Sequence, residues 1–269
     1  MFEVILSKWA ESLSFFKKDS LKSFFLASLN NAFRSIILLF KNFWLLGLLL
    51  VVFGVALYFL TIISRFIQNF TISIIFNFIF SLPLYIGLFL LIFTFLLLPF
   101  LLVRASSENK NFAYLKRMFG KNWGILILIF FMFILPMIIL GPSYYVNIGL
   151  FAKFLLSIWS TVFLFTVFFY LDEKTIFASI FKSFIRGLKV FIYFLPVILF
   201  LSLIFWILTI ISDVFRFNEY LIFAYSPILY IVFFVMSLFL GIVFYCLNLS
   251  FIANYYSILR HKYYKFFYE

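Results

Sequence analysis

Six long apolar stretches, separated by short polar ones, run along the chain from residue 43 to residue 251. A helix needs ~20 mainly apolar residues to cross the ~30 Å hydrocarbon core of a bilayer. All six stretches are close to that length or longer, so the pattern predicts an all-α, polytopic membrane bundle of six transmembrane helices. The predicted spans cover residues 43–63, 74–103, 123–140, 149–171, 190–211 and 227–251, within a membrane domain of residues 36–257.

Prolines fall inside three of the predicted spans. We expect each to bend its helix, because proline lacks an N–H and clashes with the preceding turn. The second span is also long, and as a straight helix it would extend about 45 Å, so it must tilt or kink. These prolines are Pro83 and Pro99 in the second span, Pro136 in the third and Pro196 in the fifth.

Residues 1–35 show an amphipathic pattern rather than a spanning one. A first apolar stripe ends near Lys17, where polar residues interrupt it, and a second stripe follows. We expect two amphipathic helices, which either lie in the headgroup plane or pack against the protein's own bundle. The two stripes contain Phe2, Ile5, Leu6, Trp9, Leu13 and Phe16, and then Leu21, Phe24, Phe25, Leu29 and Phe33.

The positive charge is unevenly distributed between the predicted loops. The formal net charge is +12, and 18 of the 21 Lys and Arg residues lie in the N-terminal segment, in the loops after the second and fourth spans, or in the tail, residues 258–269. The positive-inside rule then places both termini in the cytoplasm, with the chain in the cell (inner) membrane. We assign this charge to the anionic lipid leaflet rather than to nucleic acid.

Three segments share one plan, in which a basic amphipathic helix precedes two spans. The plan suggests helix-hairpin repeats over about residues 20–104, 105–172 and 173–257, although any basic entry to a span would look alike. Lysine can reach lipid phosphates while a neighbouring ring lies at the interface. The predicted lipid-interface anchors are therefore Lys41, Trp44, Lys121, Trp123 and Lys189.

The sequences at two of these entry points carry a resemblance. Lys41-Asn42-Phe43-Trp44 and Lys121-Asn122-Trp123, each after an amphipathic stretch, resemble a bacterial membrane family related to the membrane domain of glycerophosphodiester phosphodiesterases. Stand-alone, uncharacterised six-span proteins belong to the same group. The resemblance covers about residues 20–257 and does not extend to the soluble phosphodiesterase domain of those enzymes. It implies a membrane module without the catalytic part, and it carries over no catalytic residue.

The ionisable residues offer little chemistry. All nine acids lie in loops, tails or at span ends, and the only adjacent pair is Asp172-Glu173. That pair is expected to be a solvated helix end, the alternative being a cation-binding or acid/base pair. Cys246 is the only cysteine and His261 the only histidine, so we expect no disulfide and no zinc site. We predict no catalytic, cofactor-binding or metal-ligating residue, and no enzyme activity.

Uncharged polar residues inside the spans are expected to join helices by hydrogen bonds. Asn248, with Tyr245 nearby, is the predicted buried polar contact, and a ligand contact is the alternative. The first functional hypothesis is a non-enzymatic scaffold, lipid-associated or accessory module, with membrane lipids, other membrane proteins or itself as partners. The second is a transporter or channel subunit for an uncharged or hydrophobic solute. A polar cavity would favour the second, and a dry Phe/Leu core would oppose it.

Overall fold

The computed structural model of the chain describes residues 2–67, 70–84, 87, 98–99, 101–104, 122–129, 149–172, 177–225 and 227–268. These residues are almost entirely helical, and none of them forms a β-strand, which confirms the predicted all-α class. The α-helices are α1 (Phe2–Leu13), α2 (Lys18–Phe66), α3 (Phe70–Phe76), α4 (Asn122–Ile129), α5 (Leu150–Asp172), α6 (Phe177–Tyr193), α7 (Leu195–Tyr225), α8 (Pro227–Lys262) and α9 (Tyr264–Tyr268).

The N-terminal region divides at the predicted break. A short 3-10 turn, Ser14–Phe16, follows α1, and Lys17 is extended with φ −61° and ψ 137°. Helix α2 then runs for 49 residues without interruption, which corresponds to about 73 Å. A single helix therefore contains both the second amphipathic stripe and the first predicted span.

Four helical segments, within the part of the chain that the structure describes, are long and apolar enough to cross a membrane. Three of them overlap the fourth, fifth and sixth predicted spans. The first covers the second amphipathic stripe, which we expected to lie in the headgroup plane or to pack against the bundle, and the predicted span 43–63 lies further along the same helix. Residues 130–140 of the third predicted span are outside the described residues. The four segments are Lys18–Lys41, Leu150–Asp172, Leu195–Ser212 and Phe239–Lys262.

These segments pack side by side around an aromatic and aliphatic core. The Ser202 hydroxyl of α7 donates to Thr161 of α5 at 3.1 Å, which confirms for this pair that polar residues inside the spans join helices. Thr166 and Thr209 instead donate to carbonyls of their own helices. On the other side, Asn254 of α8 donates to Ser28 of α2 at 3.0 Å. Side chains buried in this core include Phe165, Phe168, Phe169, Tyr170, Phe194, Val197, Ile198, Leu249, Ile252 and Leu259.

The described prolines lie at helix ends as well as inside helical segments. Pro196 was expected to kink the fifth span, but α6 ends at Tyr193 and α7 begins at Leu195. Pro196 therefore stands in the first turn of α7, where its missing N–H leaves no hydrogen bond unmade. The predicted span 190–211 is thus two helices joined at Phe194. A π-helical turn, Asn77–Ser81, precedes Pro83, and Pro136 lies outside the described residues.

Candidate functional site

Helix α6 has three distinct faces. Its small residues point inward, and the half-buried Ile180, Phe184 and Phe191 pack against the core beside them. Its exposed large apolar residues point outward, and its basic residues lie between the inward and outward faces on one side. Phe181 is 69% exposed, so the outward face is far from the packed core. The inward face contains Ser179, Ser183, Gly187 and Val190; the outward face contains Phe181, Ile185, Leu188 and Ile192; the basic edge contains Lys182, Arg186 and Lys189.

The inward face lets α6 approach α5 closely. A Cβ added at Gly187 would overlap the Thr166 hydroxyl and would lie 3.3 Å from the carbonyl oxygen of Val162. The rings of Phe163 and Phe184 then meet beside this crossing, with centroids 5.6 Å apart. Small residues at helix contacts are typical of packing in lipid, where large apolar side chains gain nothing by moving inward.

An acidic residue at the C-terminal end of α5 collects donors from distant parts of the chain. The Asp172 side chain is only 7% exposed, and it receives Nη2 of Arg104 at 2.5 Å and Nε of Arg260 at 3.3 Å. The hydroxyls of Tyr256 and Tyr268 also donate to it, the latter at 3.1 Å. A carboxylate at a helix C-terminus is opposed by the helix dipole, so these donors are what stabilise its charge.

The expectation of a solvated helix end at Asp172 was therefore wrong. The tail folds back over the carboxylate, and Arg104, itself only 1% exposed, lies beside it rather than in solvent. The guanidinium of Arg104 also stacks over the Tyr256 ring at 4.8 Å from its centroid. Glu173 is outside the described residues.

The C-terminal tail segment (residues 263–268) is docked on the bundle. Phe267 is buried, with its ring centroid 5.2 Å from that of Phe169 and 6.1 Å from that of Phe194. Arg186 of α6 donates from Nε to the Phe267 carbonyl at 2.8 Å and lies 4.4 Å from the Tyr268 ring centroid. Burial, with Asp172 nearby, raises the pKa of Tyr268 to about 12, so its hydroxyl stays protonated and can donate.

A second acid connects α1 to the tail. Glu11 accepts from Lys262 at 2.8 Å and from Lys8 at 2.9 Å. Hydrogen bonds from Lys262, then Tyr263 and Lys8, lower the Glu11 pKa from its usual 4.5 to about 2. The Trp9 indole donates to the Ile192 carbonyl of α6 at 2.8 Å. Helix α1 thus packs on the protein's own bundle, which was one of the two alternatives left open for the first amphipathic stripe.

The predicted site residues are distributed along the bundle. Lys41 and Trp44 are exposed on α2, and Lys189 is half-buried with its Nζ 5.7 Å from the Phe266 ring centroid. Lys121 and the side chain of Trp123 lie outside what the structure describes. Asn248 is buried, Tyr245 is half-buried one turn earlier on α8, and Cys246 is buried between them.

Sequence reasoning missed the partners of Asp172. Arg104, Tyr256 and Tyr268 are 68, 84 and 96 residues away from it along the chain, so no local spacing could connect them. The available signal was that Arg104 and Asp172 directly follow the second and fourth predicted spans, and that Arg260 lies beyond the end of the sixth. Within the described residues, no group of three or more His, Cys, Asp or Glu side chains could hold a metal ion.

The four long apolar helices found among the described residues, and their packing, define the class of the protein, a multi-pass helical membrane protein. Comparison with protein-family models, with curated proteins and with solved structures finds no match to the chain. The function of the protein is therefore inferred from the residues of this chain.

Proposed function

We propose that the chain is a non-enzymatic integral membrane module that binds anionic lipid through the basic edge of α6 (Lys182, Arg186 and Lys189). The observation that carries the proposal is the order of the three faces around this helix. Its small face packs on α5, its apolar face is exposed, and its basic edge lies between them.

This arrangement suits a helix at the edge of a bilayer. Exposed apolar side chains such as Phe181 (69% exposed) and Ile185 (40% exposed) can enter the acyl region, since much of their surface is uncovered by the described chain. The neighbouring cations would then lie at the level of the phosphates, where each Lys or Arg contributes about 1 kcal/mol on an anionic leaflet. A water-soluble helix would instead bury Phe181 and expose Ser183.

The proposal includes a topology of six spans with both termini in the cytoplasm of the cell (inner) membrane. Its support is the convergence of Arg104, Asp172 and Arg260 at one end of the bundle. Three hairpins with the same orientation would bring the ends of their returning helices together in this way. The same convergence supports the three-hairpin repeat, and the resemblance to phosphodiesterase membrane domains is compatible with it.

The core favours a scaffold over a path for a solute. The space between α5, α7 and α8 is filled by aromatic and aliphatic side chains, among them Phe165, Phe168 and Ile198. Such a filled Phe/Leu/Val interior is the arrangement expected of a module that organises lipid or supports partner spans. The transporter alternative needs a polar cavity elsewhere in the chain.

Lipid selectivity of the reconstituted full-length protein tests the proposal. Electron paramagnetic resonance would compare spin-labelled phosphatidylglycerol with phosphatidylcholine at the protein surface. Lys182→Glu should lower the relative association constant for phosphatidylglycerol about fivefold or more, because one interfacial charge contributes about 1 kcal/mol. Lys182→Arg keeps the charge and is the matched control. Unchanged selectivity in a correctly folded Lys182→Glu protein would refute the assignment.

A further inference from the structure

The tail segment contacts the basic edge of α6 at two of its three cations. Arg186 donates to the Phe267 carbonyl and stacks over Tyr268, and Lys189 lies over Phe266. Lys182, one turn earlier on the same edge, is exposed. The tail therefore divides the edge into a part that it covers and a part that it leaves open.

We infer that the tail segment and a lipid phosphate compete for Arg186 and Lys189, so that the chain contains an internal competitor for its own lipid site. This inference rests on the proposed function, since it names the regulation of the same basic edge. The ligand is the phosphodiester group of an anionic phospholipid. It would contact Arg186 and Lys189, which now contact the Phe267 carbonyl and aromatic rings of the tail.

The chemistry of the two occupants differs in strength and in number of contacts. The contacts of the tail to Arg186 include the neutral Phe267 carbonyl oxygen and the face of the Tyr268 ring. A phosphate offers charged oxygens, to which a guanidinium can donate two parallel hydrogen bonds, and such charge-assisted bonds are roughly twice as strong as neutral ones. A phosphate could therefore replace the Phe267 carbonyl as an acceptor for Arg186.

The tail compensates with contacts made away from α6. Its Tyr268 hydroxyl donates to Asp172 and lies 2.8 Å from the hydroxyl of Tyr256. Phe267 is inserted between Phe169 and Phe194, and Tyr263 hydrogen-bonds to Glu11. The balance between tail and lipid is therefore set by these contacts, and it can be shifted without changing the basic edge itself.

The released tail would also find a favourable environment. Five of the six residues in the sequence Tyr-Tyr-Lys-Phe-Phe-Tyr are aromatic and the sixth is basic. Aromatic and basic residues accumulate at the headgroup level of membranes, where rings and cations are both stabilised. Lipid occupancy of Arg186 and transfer of the tail to the interface would then favour each other.

The test weakens the contacts of the tail segment in the full-length protein and measures the lipid selectivity of the basic edge. Phe267→Ala combined with Tyr268→Ala should raise the selectivity for spin-labelled phosphatidylglycerol about two- to fivefold, as one or two cations become available. Tyr268→Phe, which removes only the hydroxyl contacts to Asp172 and Tyr256, should give a smaller rise. Arg186→Gln should cost more selectivity in the tail variants than in the native background.

Each result decides between named alternatives. An equal loss of lipid selectivity from Arg186→Gln in both backgrounds would overturn the competition. Lower selectivity in the tail variants would also overturn it and would show that the tail is part of the lipid site. If Lys182→Glu changes the selectivity and the tail variants do not, this inference fails alone. If neither does, the proposed lipid function fails with it. Thermal unfolding in detergent verifies that each variant is folded, and Tyr268→Phe serves where the double variant is not.

Discussion

Helices α5 and α6 pack against each other yet follow opposite rules. In α5 every residue from Ser160 to Leu171 is buried, and most of these side chains are large and apolar. In α6 the buried positions are Ser, Gly and Val, while Phe181 and Ile185 face outward. Helix α5 is buried in the bundle, whereas α6 crosses it through small side chains, with the half-buried Phe184 packed beside the crossing.

The difference shows how lipid changes the meaning of an apolar face. In water, the large apolar face of an amphipathic helix faces the core, because burial removes it from water. In a bilayer, lipid solvates that face as well as a core would, so close packing through small residues decides which side turns inward. Under the proposed function, the basic edge of α6 would set how deep this helix lies in the membrane.

The largest expected effect comes from the charged end of α5. Asp172→Ala leaves Arg104 buried without its carboxylate, and losing one partner of a buried pair costs about 3–5 kcal/mol. We expect a marked fall in the thermal unfolding midpoint of the purified protein in detergent. This would show that the stability of the C-terminal end of α5 depends on its ion pairs, although the rest of the helix is stabilised by apolar packing.

A double variant provides the control for this prediction. Asp172→Leu with Arg104→Met removes both charges and keeps similar volumes, so it should recover a large part of the lost stability. Equal destabilisation by the single and double variants would mean that apolar packing alone, and not the ion pair, governs the end of α5.

The next largest effect is expected where α5 and α6 touch. Gly187→Ala introduces a methyl group against Thr166, and such overpacking costs about 1–3 kcal/mol. Gly241→Ala is the matched control, because a Cβ at this helical position of α8 meets nothing within 4 Å. The control should be neutral or slightly stabilising, since alanine favours the helix by up to about 1 kcal/mol. Equal midpoints for the two variants would show that α5 and α6 are not held by close approach.

The helical class and several spans followed from the sequence because they depend on local apolar length. The three windows at 149–171, 190–211 and 227–251 overlap helices that can cross a membrane. The break at Lys17 followed from a local loss of pattern. The continuity of α2 was not predicted from the sequence. The amphipathic stripe and the apolar window are each compatible with a separate helix, and the residues between them do not show whether the two are joined.

The candidate site was less accessible to sequence reasoning. Lys189 was singled out as a basic entry to a span, and it lies on the basic edge of α6. The hydrophobic pattern of α6 did not show which side of the helix packs on the bundle, because its apolar face can be buried either in the protein core or in lipid. The partners of Asp172 come from α8, the tail and residues 101–104, and only the packed structure brings them together.

A smaller effect is expected between α5 and α7. Thr161→Val removes the acceptor of the Ser202 hydroxyl, and interhelical hydrogen bonds of this kind average about 0.6 kcal/mol in membrane proteins. Ser202→Ala removes the donor, and the double variant should be no worse than either single one. A thermal-unfolding cycle measures the coupling. Strict additivity of the two changes would show that the bond contributes nothing to holding α7 against α5.

The smallest expected effect concerns the acid that ties α1 to the tail, close to the end of α6. Glu11 faces Lys262, Lys8 and Tyr263, and Lys262 makes the largest contribution to lowering its pKa to about 2 from 4.5. Because the folded-state pKa lies below the unfolded one, its stabilising contribution is fully present above pH 4.5. It is lost as the pH falls from 4.5 toward 2. The side chain is 34% exposed, so solvent and salt screen the effect.

The measurement is the difference in unfolding midpoint between the native protein and Glu11→Gln across this pH range, because the difference cancels the titration of the other acids. It should be constant above pH 4.5 and shrink steadily below it, and raised salt should reduce it at every pH. A difference that stays undiminished down to pH 2, where the folded-state Glu11 is about half protonated, would mean that the contact is held by shape and hydrogen bonding rather than by charge. Helix α1 would then secure the end of α6 through Trp9 and Ile192 alone, as α5 is secured along most of its length by packing.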